Sequence, residues 1–331
     1  MDPDNHKVFI ITVCRNNEKH VGGFVDSVIR STVPVTLIVV DNASCDRTAQ
    51  ILEKYIPQII VLTQKNNMGF GIGNNIGIEY ALHHNADYIF LLNCDMTIEP
   101  DSVEKLLKCA VDNPEYGIIS PVCLNFEKKS LEKMFYNSLF ERNSDHHRDF
   151  ISGLFLSRNF SPELYPLNFV NAAHWFIPAA VLKKTGGFDP VFYPAYHEDD
   201  EMCIRMRKHG FKIGFTPACQ VYHDTEKRIF NPNIPEIHFV LIRYYEKILH
   251  AKSFSVFYIL IATGMLRTVK HLLFFNRKNF FQNIVYFFRE MFRKRKILKQ
   301  NWKKNRRGQS IGLCTELQAE HIPSYIGDFS R

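Results

Sequence analysis

Asp95 is the residue of this sequence whose surroundings most clearly favour chemistry. It follows an apolar run at residues 89–92, which has the composition of a strand buried on both faces, and it precedes a helix that begins near Asp101. A carboxylate held on a short loop at the carboxyl end of such a strand is well placed to bind a ligand or a divalent cation. The alternative is that Asp95 only caps the turn, because aspartate also favours turns through local hydrogen bonds.

A second candidate for chemistry is a run of four acids, Glu198, Asp199, Asp200 and Glu201. A carboxylate within hydrogen-bond reach of an attacking hydroxyl can act as a general base. Repulsion among neighbouring acids raises the pKa of at least one of them when the group is partly buried. The alternative is a solvated helix start, since negative charge is favourable at the N-terminal end of a helix.

Short apolar strands alternate with helical segments in the first third of the chain. Each predicted strand is followed by a polar loop and a helix, which predicts an α/β fold with right-handed crossovers and a mostly parallel sheet flanked by helices. The polar loops at the carboxyl ends of the strands should therefore converge near Asp95. The predicted strands cover residues 7–13, 35–40, 59–63 and 89–92. Four helices are predicted: the first covers residues 18–31, the second ends near residue 55, the third ends near residue 84, and the fourth begins near residue 101.

The loop at residues 66–75 is rich in glycine and asparagine. Glycine lets a backbone approach a ligand closely. The loop is not the dinucleotide fingerprint G-x-G-x-x-G, and it lacks the Lys-Ser/Thr pair of a P-loop, so neither NAD nor ATP binding is predicted. A tight turn with helix caps is the alternative interpretation of this loop.

Composition excludes several classes of protein. With 331 residues, of which 46% are hydrophobic, the chain can build a substantial core and is not a disordered protein. Its 8 cysteines form no CxxC pair, which predicts buried thiols rather than disulfides or a zinc site. We see no secretory signal in the sequence, and we therefore expect a cytoplasmic location.

The net charge of +7 is concentrated near the C-terminus. Basic runs at residues 293–296 and 303–307 lie beside a series of Phe and Tyr residues between 274 and 292, a mixture typical of an interfacial helix on an anionic membrane surface. Nucleic acid is not predicted as a partner. The alternative is a helix packed on the rest of the protein or on a second copy of the chain, that is, in a homo-oligomer.

This change in composition predicts two domains. Residues 1–230 would form the catalytic domain, and residues 231–331 would form a helical, basic and aromatic C-terminal region that serves membrane association or oligomerisation. We expect the protein to be peripheral on the inner face of the cell membrane.

Five motifs of this sequence belong together in one family. They are VVDNAS at residues 39–44, an N-x-G-F-x-x-G-x-N-x-G segment at residues 67–77, NCD at residues 93–95, GGFD at residues 186–189 and EDDEMCIR at residues 198–205. Over roughly residues 7–223 the chain resembles the family 2 glycosyltransferases of the Rossmann-like GT-A fold, and within them the rhamnosyltransferase-like branch. Asn93 stands at the first Asp of the family's D-x-D motif, a variant that this branch often shows, and Glu201 stands where the family usually has Asp.

The resemblance implies a nucleotide-diphosphate sugar as the donor. Asp41 would accept a hydrogen bond from the ring N–H of a uracil or thymine. The other residues that the resemblance places along the ribose, diphosphate or sugar are Thr12, Arg15, Asn67, Gly69, Asn75, Asn93 and Asp95. Taken one at a time, each of them could equally be a turn or cap residue.

The resemblance also implies a divalent cation, Mn²⁺ or Mg²⁺, which neutralises the charge of the leaving diphosphate. Asp95 is one predicted ligand, and the resemblance makes His223 the second. Imidazole suits Mn²⁺ better than Mg²⁺, which favours manganese. The alternative for His223 is a surface or capping histidine.

On the acceptor side, the resemblance makes Asp199 the general base and Glu198 the next candidate. Arg205 could pair with an acid and hold the helix that carries them. Direct in-line attack by the acceptor would invert the anomeric carbon. His174 and Trp175 depart from the family pattern, which often has a small Gly before this block, and we expect them to reshape the acceptor pocket.

We therefore predict an inverting, metal-dependent glycosyltransferase that acts in cell-surface polysaccharide synthesis. The donor would be dTDP-rhamnose or a UDP-hexose, and the acceptor a glycan or a lipid-linked molecule. One alternative is a sugar-nucleotide nucleotidyltransferase, but residues 14–17 lack the glycines that such an enzyme needs after its first strand. The other is a non-catalytic, membrane-associated scaffold with a retained GT-A fold, and the presence of Asp95, Asp199 and His223 argues against it.

Overall fold

The structure is a computed structural model that describes residues 6–140, 164–224, 236–251 and 280–311. Its strands are β1 (Val8–Cys14), β2 (Val35–Asp41), β3 (Ile60–Thr63), β4 (Tyr88–Leu92), β5 (Met96–Ile98), β6 (Tyr116–Asn125), β7 (Tyr165–Leu167), β8 (His174–Pro178) and β9 (Lys212–His223). Its helices are α1 (Val21–Ile29), α2 (Thr48–Glu53), α3 (Gly69–His83), α4 (Ser102–Asp112), α5 (Lys133–Phe140), α6 (Ala179–Thr185), α7 (Glu198–Lys208), α8 (Glu236–Leu249) and α9 (Phe280–Arg306), with a 3₁₀-helix at Pro190–Phe192.

The strands of the described residues form one mixed sheet in the order β3-β2-β1-β4-β8-β6-β9-β5, and β7 also pairs with β9. β3, β2, β1 and β4 are parallel. β8 is antiparallel to both β4 and β6, and β5 and β7 are antiparallel to β9, whereas β6 and β9 are parallel. The predicted α/β fold with a central sheet flanked by helices is confirmed. The parallel arrangement expected for most of the sheet applies to its first four strands, and the remainder is mixed.

The parallel half is apolar nearly throughout because its strands are covered on both faces. Six of the seven residues of β1 are buried, and so are the last four residues of β4. In the register between β1 and β2, Cys14 lies opposite Asp41, so the two strands end level with each other. The loops that follow these strands therefore begin at one edge of the sheet.

Helix α3 lies close against β1 because two of its residues are glycines. A Cβ atom built at Gly73 would meet Val13, and one built at Gly77 would meet the side chain of Ile11 well inside van der Waals distance. The absence of side chains at these two positions brings the first half of α3 onto β1. The segment predicted as a glycine-rich loop at residues 66–75 is therefore helical from Gly69 onward.

The C-terminal helices share a hydrophobic core with the 3₁₀-helix at residues 190–192. Val191 and Phe192 of the 3₁₀-helix pack in one cluster with side chains of α8 and α9, among them Tyr245, Phe287 and Leu298. The predicted domain boundary near residue 230 lies outside the described residues, as does the aromatic segment before residue 280. Within the part of the chain that the structure describes, no helix is both long enough and apolar enough to cross a membrane.

The close contact between α3 and β1 predicts that an added methyl group is tolerated less well at Gly77 than at an exposed glycine. Gly77→Ala should destabilise the protein by about 1–3 kcal/mol, because the new methyl group overlaps Ile11 in a packed core. Gly23→Ala, on the exposed face of α1 where nothing lies within 4 Å of the new Cβ, should be neutral or stabilise by up to about 1 kcal/mol. Equilibrium urea unfolding of both variants measures the difference, and equal effects would contradict the described packing.

Candidate active site

The loop after β4 brings the two predicted metal ligands together. The backbone N–H of Asn93 donates to the carbonyl oxygen of Ala173 at 3.0 Å as the chain leaves β4. β5 then pairs with β9 so that Met96 lies opposite His223, and Oδ1 of Asp95 lies 3.0 Å from Nε2 of His223. Strand pairing thus joins two side chains that are 128 positions apart in the sequence.

His223 is buried, whereas the side chain of Asp95 keeps 17% of its exposure. The other ring nitrogen of His223, Nδ1, is buried and has no hydrogen-bond partner among the described residues. Glu132 also has one buried, unpaired oxygen, Oε1, while its Oε2 accepts from the N–H of Phe135 at 2.8 Å at the start of α5. Ligand atoms of Cys123, Glu132 and His223 lie within 4.8 Å of one another.

This arrangement fits a divalent cation. Adjacent ligands of an octahedral ion at about 2.1 Å lie about 3 Å apart, and Asp95 Oδ1 and His223 Nε2 are separated by 3.0 Å. One carboxylate and one imidazole leave the other positions of such an ion for phosphate oxygens and water. The nearby Glu132 carboxylate resembles the outer partner that commonly accompanies a metal-bound histidine.

The four acids at the start of α7 have different environments. Glu198 is buried, and burial followed by the charges of Asp199 and Asp200 raises the pKa of Glu198 well above its ordinary value. Burial thus favours the protonated form of Glu198. Asp199 is half-buried, and its Oδ1 accepts from the N–H of Asp200 at 2.9 Å. Of these two predicted catalytic acids, Asp199 is the more accessible.

Glu201 and Arg205 form a fully buried ion pair one turn apart on α7. Nη2 of Arg205 lies 2.8 Å from Oε2 of Glu201, and the guanidinium also donates to the carbonyl oxygens of Thr185 and Gly187 at 2.6 Å each. Arg205 thus joins the helix that carries the acids to the GGFD turn. Glu201 serves this pair, so the residue that replaces the family's usual Asp lies inside the fold.

Asn75 lies in the same buried region and is hydrogen-bonded at both ends of its amide. Its Nδ2 donates to the carbonyl oxygen of Phe188 at 2.7 Å, and its Oδ1 accepts from the N–H of Phe188 at 2.8 Å. Because both groups are used inside the protein, the side chain of Asn75 holds α3 to the GGFD turn in this structure. The sequence placed Asn75 along the donor.

Asn42 connects the loop after β2 with the glycine-rich loop, a role that sequence analysis missed. Its Nδ2 donates to Oδ1 of Asn67 at 3.0 Å and to the carbonyl oxygen of Gly69 at 3.2 Å, and its Oδ1 accepts from the N–H of Met68 at 2.6 Å. Gly69 has φ 73°, in the left-handed region that favours glycine. The sequence feature that could have indicated this role is the position of Asn42 within the VVDNAS motif.

Asp41, Thr12 and Arg15 lie at the carboxyl ends of the first two strands, as predicted. Asp41 is buried, and its Oδ1 accepts from the N–H of Ser44 at 3.1 Å. Within the described part of the chain, Thr12 Oγ1 and Arg15 Nε are buried without hydrogen-bond partners. Buried unpaired polar atoms of this kind call for a partner such as water or a ligand.

His174 and Trp175 lie in the core on β8, with no exposed surface. Nδ1 of His174 lies 2.9 Å from Ser120 Oγ, and burial followed by the nearby His223 lowers the pKa of His174 to about 3, so the ring is neutral. Trp175 donates from Nε1 to the carbonyl oxygen of Val170 at 3.2 Å and stacks on Phe188. Both side chains thus pack inside the protein and present no surface to solvent.

Comparisons with known proteins relate this chain to glycosyltransferases. Residues 9–166 match the family model for Glycosyl transferase family 2. The N-acetylglucosaminyl-diphospho-decaprenol L-rhamnosyltransferase of Mycobacterium tuberculosis is 22% identical over 233 residues, which cover 65% of this chain and 75% of that protein. Among solved structures, S. aureus TarS 1–349 in complex with UDP-GlcNAc superposes with a TM-score of 0.54 at 15% identity, covering 91% of this chain and 89% of that chain.

A second similar structure is GalNAc-T7 with UDP, GalNAc and Mn²⁺, with a TM-score of 0.55 at 13% identity, covering 76% of this chain and 51% of that chain. At these identities the structural matches show the fold, which is GT-A. The match to Glycosyl transferase family 2 spans just under half of the chain, and together with the Mycobacterium relative it supports the resemblance to the rhamnosyltransferase-like branch of that family.

The buried pair on α7 predicts a large effect of Arg205→Met. The variant leaves Glu201 buried without its counter-charge and removes the donors to Thr185 and Gly187, so we expect a loss of about 3–5 kcal/mol in the free energy of unfolding. Arg207→Met, at an exposed position on the same helix, should change stability by less than about 0.5 kcal/mol. Urea denaturation compares the two, and similar small losses would show that the pair does not hold α7.

Proposed function

We propose that this protein is an inverting, metal-dependent glycosyltransferase that transfers a sugar from a nucleotide diphosphate to a lipid-linked or glycan acceptor in cell-surface polysaccharide synthesis. The observation that carries the proposal is the 3.0 Å contact of Asp95 with His223, which would provide two ligands for a cation at the edge of the sheet where the loops after β1, β2 and β4 begin. A divalent cation held there would supply the positive charge that offsets the leaving diphosphate.

The side chains divide the remaining work of an in-line displacement. Asp199 takes the proton of the acceptor hydroxyl as that oxygen attacks the anomeric carbon and the bond to the diphosphate breaks. Glu198 lies beside it, and in the protonated form that burial favours it would donate a hydrogen bond to the acceptor. A single displacement from the face opposite the leaving group inverts the anomeric carbon, and no covalent intermediate is required.

Two features support a pyrimidine nucleotide sugar as the donor. Asp41 lies at the end of β2, where its carboxylate would accept a hydrogen bond from the ring N–H of uracil or thymine. The Mycobacterium relative is named as an L-rhamnosyltransferase, and the TarS structure contains UDP-GlcNAc. We therefore propose dTDP-rhamnose or a UDP-hexose as donor, and, from the name of the Mycobacterium relative, an acceptor linked to a lipid through a diphosphate.

Donor binding and turnover should separate in two variants. In calorimetric titrations with UDP and dTDP, we expect Mn²⁺-dependent binding to the wild-type protein and at least about tenfold weaker binding to Asp95→Asn, which loses one charged ligand. Asp199→Asn should bind the nucleotides normally and lose about 10²–10⁴-fold in kcat, because only the base is removed.

Asp112→Asn, an exposed carboxamide variant on α4, is the matched control and should behave as wild type. If neither nucleotide bound with or without Mn²⁺, the non-catalytic scaffold would be the better description. If Asp199→Asn kept full kcat, another group would be the base.

We also propose that α9 lies on an anionic membrane surface. Val285, Phe288 and Phe292 are 61%, 45% and 68% exposed and recur on one side of the helix. Arg289 is half-exposed beside them, and the guanidinium of Arg295 lies 3.5 Å from the centre of the Phe292 ring. Exposed aromatic side chains flanked by cations suit the headgroup layer of an anionic membrane, with the rings at the interface and the cations on the phosphates.

Vesicle co-sedimentation tests this surface of α9. Wild type should sediment with phosphatidylglycerol-containing vesicles much more than with pure phosphatidylcholine vesicles, because the attraction is partly electrostatic. Phe288→Ser combined with Phe292→Ser should weaken binding roughly tenfold, since two apolar contacts are lost.

The control is Phe126→Ser, which removes an equally exposed phenylalanine elsewhere on the surface. Unchanged sedimentation of the double variant would rule out this face. A dimer that the double variant abolishes, without any vesicle binding by wild type, would identify a second copy of the chain as the occupant.

A further inference from the structure

The 189–197 loop connects Asp189 of the GGFD motif to the first catalytic acid. It begins with the 3₁₀-helix and ends at His197, the residue before α7, whose backbone has φ 65°. Glu198 and Asp199 follow without any intervening residue. Whatever holds this loop therefore determines where the two acids lie.

One side of the loop is held by two buried residues of α9. Nζ of Lys294 donates to the carbonyl oxygens of Val191 at 2.6 Å and Tyr193 at 3.0 Å. Nδ2 of Asn301 lies 2.9 Å from each carboxylate oxygen of Asp189, and that carboxylate also accepts from the N–H of Val191 at 2.9 Å. The 3₁₀-helix is thus bound to α9 at its beginning and at its end.

Helix α8 holds the second half of the same loop. Nε2 of His238 donates to the carbonyl oxygen of Ala195 at 3.2 Å. Nδ1 of His197 lies 3.2 Å from Oε2 of Glu246. Together with the contacts from α9, the two C-terminal helices contact the loop from its first residue to its last.

The opposite side of the 189–197 loop contacts the glycine-rich segment at residues 66–75, which is predicted to bind the donor. The hydroxyl group of Tyr193 donates to the carbonyl oxygen of Asn67 at 3.3 Å. Pro194 lies so close to Gly69 that a Cβ atom there would overlap the Pro194 carbonyl. The 189–197 loop therefore lies between the C-terminal helices and the loop predicted to bind the donor.

Burying the Lys294 ammonium group and the Asp189 carboxylate costs free energy of folding. This cost suggests that the hydrogen bonds they make to the loop and to α9 have a use beyond filling space. Lys294 is buried, and burial lowers its pKa to about 8, while burial followed by the charge of Glu201 raises the pKa of Asp189 to about 6. An apolar side chain of similar length would fill the position of Lys294 without desolvating an ammonium group. Only a donor group satisfies the two loop carbonyls in a defined arrangement.

We propose that Lys294 and Asn301 are positioning residues for glycosyl transfer, which hold the 189–197 loop so that Glu198 and Asp199 face the donor site. This inference rests on the proposed function, because it assigns Lys294 and Asn301 a place in the transfer step. It also explains the Asp of the GGFD motif, which binds α9 instead of substrate.

The test compares Lys294→Met with Lys296→Met, an exposed lysine on the same helix. Transfer is assayed with dTDP-rhamnose and with UDP-GlcNAc on a short-chain polyprenyl-diphospho-GlcNAc acceptor, well below the melting temperature of each variant. For Lys294→Met we expect kcat to fall at least about tenfold, because small displacements of catalytic groups are costly in rate. The Kd of UDP and dTDP with Mn²⁺ should stay within about threefold of wild type, because Asp95 and Asp41 are untouched.

Hydrogen exchange of the backbone amides gives a readout that needs no substrate. Amides of residues 189–199 should exchange faster in Lys294→Met than in Lys296→Met, while amides of β1 and β2 keep their protection. A purely structural role would lower the melting temperature and leave kcat of the folded enzyme within twofold of wild type, and that result would overturn the proposal.

A charge exchange keeps the proposal testable if Lys294→Met does not fold. Asn301→Asp should impair transfer, because two carboxylates then face each other. Adding Asp189→Asn should restore it, since the new amide donates to the new carboxylate and still accepts from Val191. Failure of the exchange to raise kcat at equal thermal stability would contradict positioning. Absence of nucleotide binding and transfer in the wild type would instead refute the proposed function. Hydrogen exchange of residues 189–199 in these variants would still decide whether α9 holds the loop.

Discussion

The parallel pairing of β1 with β2 and β4 is the constraint on which the site depends. Because the three strands run in one direction, the loops after Cys14, Asp41 and Leu92 leave the sheet at the same edge. Parallel strands are stable only when helices cover both faces, and this cover removes the alternation of apolar and polar residues along each strand. The polar residues are then confined to the strand ends, where a ligand can reach them.

That confinement is also why the first half of the fold was predictable from sequence. A continuous apolar run followed by a polar loop marks a central parallel strand, and the observed bounds of β1 to β4 differ from the predicted ones by only a residue or so. β8 escaped prediction because it joins the sheet antiparallel, between strands that precede it in the chain. His174 and Trp175 looked like pocket residues for this reason, since a sequence does not reveal that its segment enters the core.

The functional residues divide in the same way. Asp95 was predicted as a ligand from its place after a strand, whereas the prediction for His223 required a resemblance, because their contact arises from β5 pairing with β9 across most of the domain. The hydrogen-bond partners of Asn75 and Asn42 could not be predicted from the sequence, for a physical reason. An amide carries both donors and an acceptor, so its sequence context is the same whether it serves the backbone or a ligand. Only the atoms opposite it distinguish the two uses.

The two faces of α9 have a consequence for how such enzymes can be altered. Lys294 contacts the 189–197 loop on one face, and Phe292, two positions earlier, is exposed on another. Residues of α9 that contact the 189–197 loop therefore alternate along one helix with residues that form its exposed aromatic face. Under the two proposals made for α9, the C-terminal region would not be a module that can be exchanged between relatives to alter membrane binding while the chemistry is retained. A chimera joined after β9 would need to inherit the partners of Asp189, Val191 and Tyr193 along with any new surface.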